Sequence, residues 1–323
     1  MPYEKRNDAI YRVPIMSKAA SVQQLLRNQA KAQDINPNIL QVRYSLERFL
    51  YRLGLSEHKD RITLKGAMLF ILWSDTSFRP TKDADFLITG DISPNNIKQV
   101  VIDICNIEVT NDDAMVYDAE SIKIVPIKEG QEYQGLRVTL KSKLGHISIP
   151  VQLDMGTGDV VTPRATEADF KVLIDTLPAP RLKVYNRETV IAEKLQAMVL
   201  LDLANSRMKD FYDVWIICTQ FGFDKEILKE AIVSTFKRRG TNFPSEGISS
   251  LTEYFYDDPS IKVRWKAFTK NIERLVDMDI KDLHKLCESV EEKCIHNRKT
   301  LMNLKTPIDE AIHQVRIALD RQK

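Results

Sequence analysis

KGAMLFILWSDTSFRPTKDADFLI, residues 65–88, runs from a glycine that can open a helix to a segment that begins on two aspartates. Ala84, Phe86 and Ile88 alternate with Asp83, Asp85 and Leu87, which predicts a β-strand. Side chains two apart in a strand leave the same face, so Asp83 and Asp85 project together. Adjacent carboxylates repel; the conflict is relieved by raising one pKa or by binding a cation. Mg²⁺ suits the second course, being hard, oxygen-seeking and able to bridge carboxylates to phosphates. Taken by itself, the pair reads equally as a solvated strand entry. Upstream, Gly66 permits close backbone approach, and a helix expected over Ala67–Trp73 would offer free N–H groups to an anion. The loop between, residues 74–82, carries Arg79-Pro80-Thr81.

On the N-terminal side, two helices are predicted. Ser17–Ala32 has helical spacing at Val22, Leu25 and Leu26. Pro37 opens a second helix carrying Leu40, Tyr44, Leu46, Phe49, Leu50 and Leu53, with Gly54 expected as its stop. Within it, Arg48 and Arg52 are expected on a solvated face, a phosphate contact being the alternative. Pro94–Cys105 reads as a further helix. Residues 116–154 alternate like strands over Ser121–Ile127, Leu136–Leu140 and His146–Asp154, with turns at Gly130 and Gly145. They predict an antiparallel meander joined to the Asp83 strand. Its last run ends on Asp154, with Gly156 and Gly158 beyond.

From Asn186, a helix cap, the pattern is helical: Arg187 to near Leu203, Met208–Thr219, then further helices broken around 240–247 and at Asp257-Asp258-Pro259. The expectation is an α+β fold, with a mixed-sheet core over residues 1–180 and a helical lobe over 181–323.

Bulk composition excludes several classes. The chain has 323 residues, 43% hydrophobic and 28% charged, with a net charge of +2. That is ordinary globular composition with enough apolar residues for a core. Four cysteines are too few for a disulfide framework. No run reaches the ~18 apolar residues of a membrane span, and no apolar leader is visible, so the cytoplasm is the expected compartment. There is no phosphate-loop or dinucleotide fingerprint. His284, Cys287, Cys294 and His296 invite a zinc reading, but their spacing does not suit paired ligands.

A glycine-opened helix, a strand bearing Asp-x-Asp and a later strand bearing a third Asp are what two-metal phosphoryl chemistry needs. At this point the sequence resembles the AbiEii/AbiGii-type nucleotidyltransferase toxins, which include the tRNA-targeting toxins called MenT. Four ordered blocks carry the resemblance. They are Lys65-Gly66-Ala67 with Arg79-Pro80-Thr81-Lys82-Asp83-Ala84-Asp85-Phe86; Gln152-Leu153-Asp154-Met155-Gly156; Glu188-Thr189-Val190-Ile191-Ala192-Glu193-Lys194-Leu195; and Arg207-Met208-Lys209-Asp210-Phe211-Tyr212-Asp213. One position departs: the family usually has Gly or Ser where this chain has Ala67, which supplies a backbone N–H but no hydroxyl.

The resemblance implies a polymerase β-like nucleotidyltransferase core. It implies Mg²⁺-dependent transfer of a nucleoside monophosphate from NTP to an acceptor, a tRNA 3′ end foremost, by a toxin with a separately encoded antitoxin. It assigns Asp83, Asp85 and Asp154 to two Mg²⁺ ions, with Asp154 as third ligand or base. Lys194 and Arg79 would face the nucleotide's phosphates beside Gly66 and Ala67. Asp210 and Asp213, which share a helix face, would hold Lys194 or meet substrate. Transfer to a protein hydroxyl, and a catalytically inactive NTP-sensing module, are the alternatives. Separately, Lys237, Arg238 and Arg239, with Lys262, Arg264, Lys266 and Lys270, could form an acceptor-RNA surface through phosphate contacts, or merely complement helix C-termini.

Overall fold

The computed structural model describes residues 17–74, 79–129, 133–244, 248–270 and 272. The zinc-like residues 284–296 lie outside them. Two helices open the fold: α1 (Lys18–Ala32), capped by the Ser17 side chain, and α2 (Pro37–Leu55), capped by Asn36 with Pro37 in its first turn. Then come β1 (Ile62–Lys65), a 3-10 turn (Gly66–Met68), α3 (Leu69–Trp73), β2 (Asp83–Ile88) and α4 (Pro94–Cys105). Five strands follow: β3 (Met115–Glu129), β4 (Tyr133–Leu144), β5 (Ile147–Gly156), β6 (Thr166–Asp169) and β7 (Arg181–Val184). The remainder is helical: α5 (Arg187–Leu201), α6 (Met208–Ile216), α7 (Lys225–Arg238), α8 (Glu253–Tyr256) and α9 (Pro259–Thr269).

The strands form one mixed sheet in the order β3-β4-β5-β2-β1-β7-β6. The expected meander is present: β3, β4 and β5 are antiparallel neighbours. β2 joins it parallel to β5 and antiparallel to β1, and β7 lies parallel to β1 on the far side. The mixed sheet with flanking helices and a helical C-terminal part agrees with the expected fold class. The sheet's last strand in the chain, β7, begins at Arg181, so the helical part starts at α5. β6 and β7 are four residues each, too short to show a period in the sequence.

β2 explains why the aspartates sit where they do. Ala84, Phe86 and Ile88 are fully buried on the core side, while Asp83 and Asp85 are half-buried on the other. The core face fixes the register, because a slip of one residue would bury both carboxylates.

Two expectations about α2 fail. Arg48 and Arg52 are on neither a solvated nor a phosphate-binding face. Arg48 is fully buried, donating to the Pro178 carbonyl at 2.9 Å beside Glu47, and Glu47 accepts from the Leu173 amide. Arg52 forks onto Asp113 at 2.6 and 3.1 Å. A helix can bury cations when their forks have a carboxylate or carbonyl to meet. Gly54 does not stop α2, which continues to Leu55. Its missing side chain instead lets β7 approach: a Cβ there would lie 2.6 Å from the Arg181 carbonyl oxygen.

Candidate active site

The sheet register lines up four charges across neighbouring strands. Lys65 on β1 pairs with Asp85 on β2, Asp85 with Asp154 on β5, and Asp154 with Arg137 on β4. Cross-strand partners share a face, so the row reads cation, carboxylate, carboxylate, cation. Two residues along, Asp83 lies opposite Gln152.

The two ends of the row are tied differently. Lys65 Nζ donates to Asp159 at 2.8 Å and lies 3.6 Å from Glu193. Arg137 forks onto both oxygens of Asp154, Nε to Oδ1 at 2.8 Å and Nη2 to Oδ2 at 2.7 Å. Asp85, between them, forms no ion pair within 4 Å among the described residues. Burial pushes its carboxyl up to about 6, and the charges of Asp83 and Asp154 add to this against Lys65 and Lys209. Asp83 accepts from the Thr81 hydroxyl at 2.6 Å, and the Gln152 amide lies 3.5 Å from both Asp83 and Asp154.

Gly66 has φ +72°, and a Cβ on it would fall 1.9 Å from Asp85 Oδ2. Its backbone is therefore packed on the carboxylate itself. The helix expected from Ala67 is a 3-10 turn running into the five-residue α3. So short an element carries little dipole for an anion, and the glycine's evident use is to admit Asp85.

A second cluster joins α5, α6 and the loop before β2. Lys194 lies 2.8 Å from both Asp210 and Asp213, and Arg79 forks onto Asp213 at 2.7 and 2.8 Å. Although burial opposes it, Lys194 and Arg79 hold the Asp213 carboxyl down at about 2. Lys194 and Arg79 are in turn raised above their ordinary ranges, the neighbouring carboxylates outweighing burial. Asp210 and Asp213 thus both hold Lys194, and Asp213 is the more fully compensated. Arg79 also feels the charge of Asp83, so this cluster borders the carboxylate row.

A third cluster ties α7 to the row. Arg239 donates to Asp159 at 2.9 and 3.0 Å and to Gln196 at 2.8 Å, and lies 3.3 Å from Glu193. Burial notwithstanding, Lys65 and Arg239 keep the Asp159 carboxyl below its ordinary value. Arg239 therefore faces inward and is not part of an outer basic surface. Lys237 and Arg238 are exposed, although Arg238 also donates to the Gly158 carbonyl.

Of the residues singled out in the sequence, Gly66, Asp83, Asp85 and Asp154 come together on one sheet face, and Arg79, Lys194, Asp210 and Asp213 form the cluster beside it. Sequence reading missed Arg137, Gln152, Asp159 and Arg239 as parts of this assembly. Arg137 was legible in principle, standing three strand residues before Leu140 on the run opposite Asp154, once the meander's register was known.

A cavity of about 600 Å³ opens beside the Arg79 cluster, lined among others by Arg79, Arg207, Lys209, Arg264, Met208 and Phe268. Cations with an apolar and aromatic floor can hold a phosphate and a stacked ring. The donor set of the row, carboxylate oxygens with like charges crowded together, fits a hard divalent cation at Asp83 and Asp85. Asp154 is turned to Arg137 here. Among the described residues, the group of three metal-type ligands whose donor atoms all lie within 4.8 Å of one another is instead Glu57, His58 and Asp103. There, the His58–Asp103 contact at 2.9 Å satisfies the pair without an ion.

No curated protein matches the chain. Among solved structures, JHP933 from Helicobacter pylori aligns at 13% identity and TM-score 0.39, over 90% of this chain and 99% of that one. A candidate nucleotidyltransferase from H. pylori aligns at 14% identity and TM-score 0.43, over 87% and 98%. No described helix is long and apolar enough to cross a membrane. A family model described as the nucleotidyl transferase AbiEii toxin of a type IV toxin–antitoxin system matches residues 48–292, a span that holds all three clusters. The chain belongs to that family of nucleotidyltransferase toxins.

Proposed function

We propose that this chain transfers a nucleoside monophosphate from NTP to an RNA acceptor, a tRNA 3′ end foremost, and releases pyrophosphate. The observation that carries this is Asp85: a half-buried carboxylate beside Asp83, without an ion-pair partner among the described residues, on a row bordered by the Arg79 cluster and its cation-lined cavity. Natural sequences seldom keep such a charge uncompensated unless a ligand supplies the balance.

In this reading Asp83 and Asp85 would hold Mg²⁺, with Asp154 as third ligand. The metal would bind triphosphate oxygens and offset the charge that develops as pyrophosphate leaves. The acceptor hydroxyl oxygen attacks the α-phosphorus, the bond from that phosphorus to the β-bridging oxygen breaks, and the hydroxyl proton passes to solvent or a nearby carboxylate. Arg79 and Lys194 would face the phosphates, their nitrogens oriented by Asp213 and Asp210. Gly66 and Ala67 border the nucleotide by their backbone. The sheet-bearing part supplies the carboxylates, and the helical part from α5 closes the cleft. Lys237 and Arg238, exposed at the end of α7, meet phosphates further along the acceptor. An antitoxin encoded separately would restrain the activity.

A nucleotide-binding module without transfer is the second reading, favoured by one observation: Asp154 is occupied by Arg137. Incubation of the purified chain with labelled NTPs, Mg²⁺ and total tRNA separates the two. Transfer is expected to label RNA with wild type and not with Asp83→Ala. No labelled RNA, or equal labelling by Asp83→Ala, overturns the proposal.

A further inference from the structure

The row Lys65–Asp85–Asp154–Arg137 has two cationic ends with unequal freedom. Lys65 has 18% of its side chain exposed and is fixed by Asp159 and Glu193. Arg137 has 41% of its side chain exposed, and its side-chain hydrogen bonds among the described residues go to Asp154 alone. The fork takes one lone pair on each Asp154 oxygen, the two that a cation chelated by both oxygens would use. Asp83 and Asp85 carry no such cation. The carboxylate set is thus open at two positions and closed at the third.

We propose that Arg137 is a guard residue: it holds Asp154 away from the metal in the nucleotide-free protein and releases it when triphosphate oxygens draw the guanidinium off. The inference rests on the reading above, in which Asp154 is the third ligand. Its physical basis is competition. The guanidinium is 41% exposed, so an incoming phosphate can reach it without first unburying it, and a planar guanidinium forks onto phosphate as readily as onto carboxylate. The metal site is then completed by the arrival of the nucleotide. Arg137 changes from blocking a ligand to binding substrate, which makes it a positioning residue with a second role toward phosphate.

The test is Mn²⁺ affinity of the full chain, read by electron paramagnetic resonance, without nucleotide and then with a non-hydrolysable NTP analogue. Without nucleotide, Arg137→Gln is expected to bind Mn²⁺ about fivefold more tightly than wild type, the weight of a strong exposed ion pair. Combining it with Asp154→Asn is expected to remove the gain. With the analogue bound, the gain is expected to vanish, and the analogue's own affinity to fall in Arg137→Gln. Arg137→Lys, a point charge without the fork, is expected to fall between. Unchanged or weaker Mn²⁺ binding by Arg137→Gln, while Asp83→Ala loses binding, overturns the guard and leaves the metal site standing. Arg137→Gln that only lowers the melting temperature, with Mn²⁺ affinity unmoved, shows a merely structural pair and overturns it too. If Asp83→Ala binds Mn²⁺ as well as wild type, the metal reading itself falls, and the guard with it.

Discussion

Replacing Asp85 by Asn is expected to stabilise the metal-free protein while removing its chemistry. Burial and the charges of Asp83 and Asp154 move the Asp85 carboxyl from an ordinary 3.8 to about 6. The folded chain therefore keeps a proton there that the unfolded chain has already released. Stability from this group is fully present below pH 3.8, declines as pH rises, and is lost above about 6. The displacement corresponds to ~3 kcal/mol of charge penalty at neutral pH, as an upper bound. The amide of the Asp85→Asn variant has nearly the same shape as the carboxylate and no charge, so it escapes the penalty. Thermal unfolding at pH 8 in chelator should place the variant up to about 6 °C above wild type, at ~2 °C per kcal/mol for a chain of this size. At pH 4 the difference should shrink toward zero. Mg²⁺ at a hundred times its dissociation constant should then raise wild type by ~2.7 kcal/mol and leave the variant nearly unmoved. A variant that melts no higher than wild type at pH 8 without metal refutes the argument, and so does a gain of equal size at pH 4.

Gly66→Ala should be far more damaging than an exposed glycine substitution, because its Cβ would overlap Asp85 Oδ2 at a left-handed φ; a loss of about 2–4 kcal/mol in urea unfolding is expected, together with loss of NMP transfer. Lys194→Met removes a cation from two buried carboxylates and should cost about 3–5 kcal/mol, measured by the same unfolding. Asp213, held near 2, contributes stability above its ordinary 3.8 that is lost as pH falls toward 2; Asp213→Asn should flatten that part of the stability profile. Arg239→Ala should lower the melting temperature by several degrees, since it leaves Asp159 and Glu193 to share Lys65 alone. Lys237→Ala should leave melting unchanged while weakening RNA binding in a salt-dependent way.

Helix and strand identities were legible where the period was long and the caps explicit. Pro37 marks a helix start by its fixed φ and Asn186 by its side-chain chemistry, and the structure uses both. The β3–β5 meander was legible because each run alternates over many residues. What could not be read were relations set only by tertiary approach. Gly54 looks like a helix stop, and nothing local says that a strand will press on it. Arg48 and Arg52 look like surface charges, because the groups that satisfy them, Pro178 and Asp113, are distant in sequence. Asp154 was visible as a strand-end carboxylate, but its partner is set by strand register, which one run of residues does not reveal. Likewise, Arg239 belongs to a basic run, and its inward turn follows from Asp159 lying opposite the end of α7.

The distribution of compensation across the carboxylates is what separates function from scaffold in this fold. Asp113 has the Arg52 fork, Asp159 has Lys65 and Arg239, and Asp213 has Arg79 and Lys194. Each is a buried anion whose cost of leaving water is offset by two or more charge-assisted bonds. These three tie α2 to the β3 edge, the sheet to α7, and α5 to α6. Asp83 and Asp85 lie on the same sheet face as Asp154 and have no cation within reach of a salt bridge among the described residues. Gly66 packs against Asp85 where any Cβ would overlap the carboxylate, and offers room and no charge. A fold that neutralises every neighbouring carboxylate could neutralise this pair as easily, since Lys65 is in register with Asp85 and is drawn off by Asp159 instead. Negative charge is thereby concentrated on two alternate positions of one strand, where the proposed Mg²⁺ would supply the balancing charge.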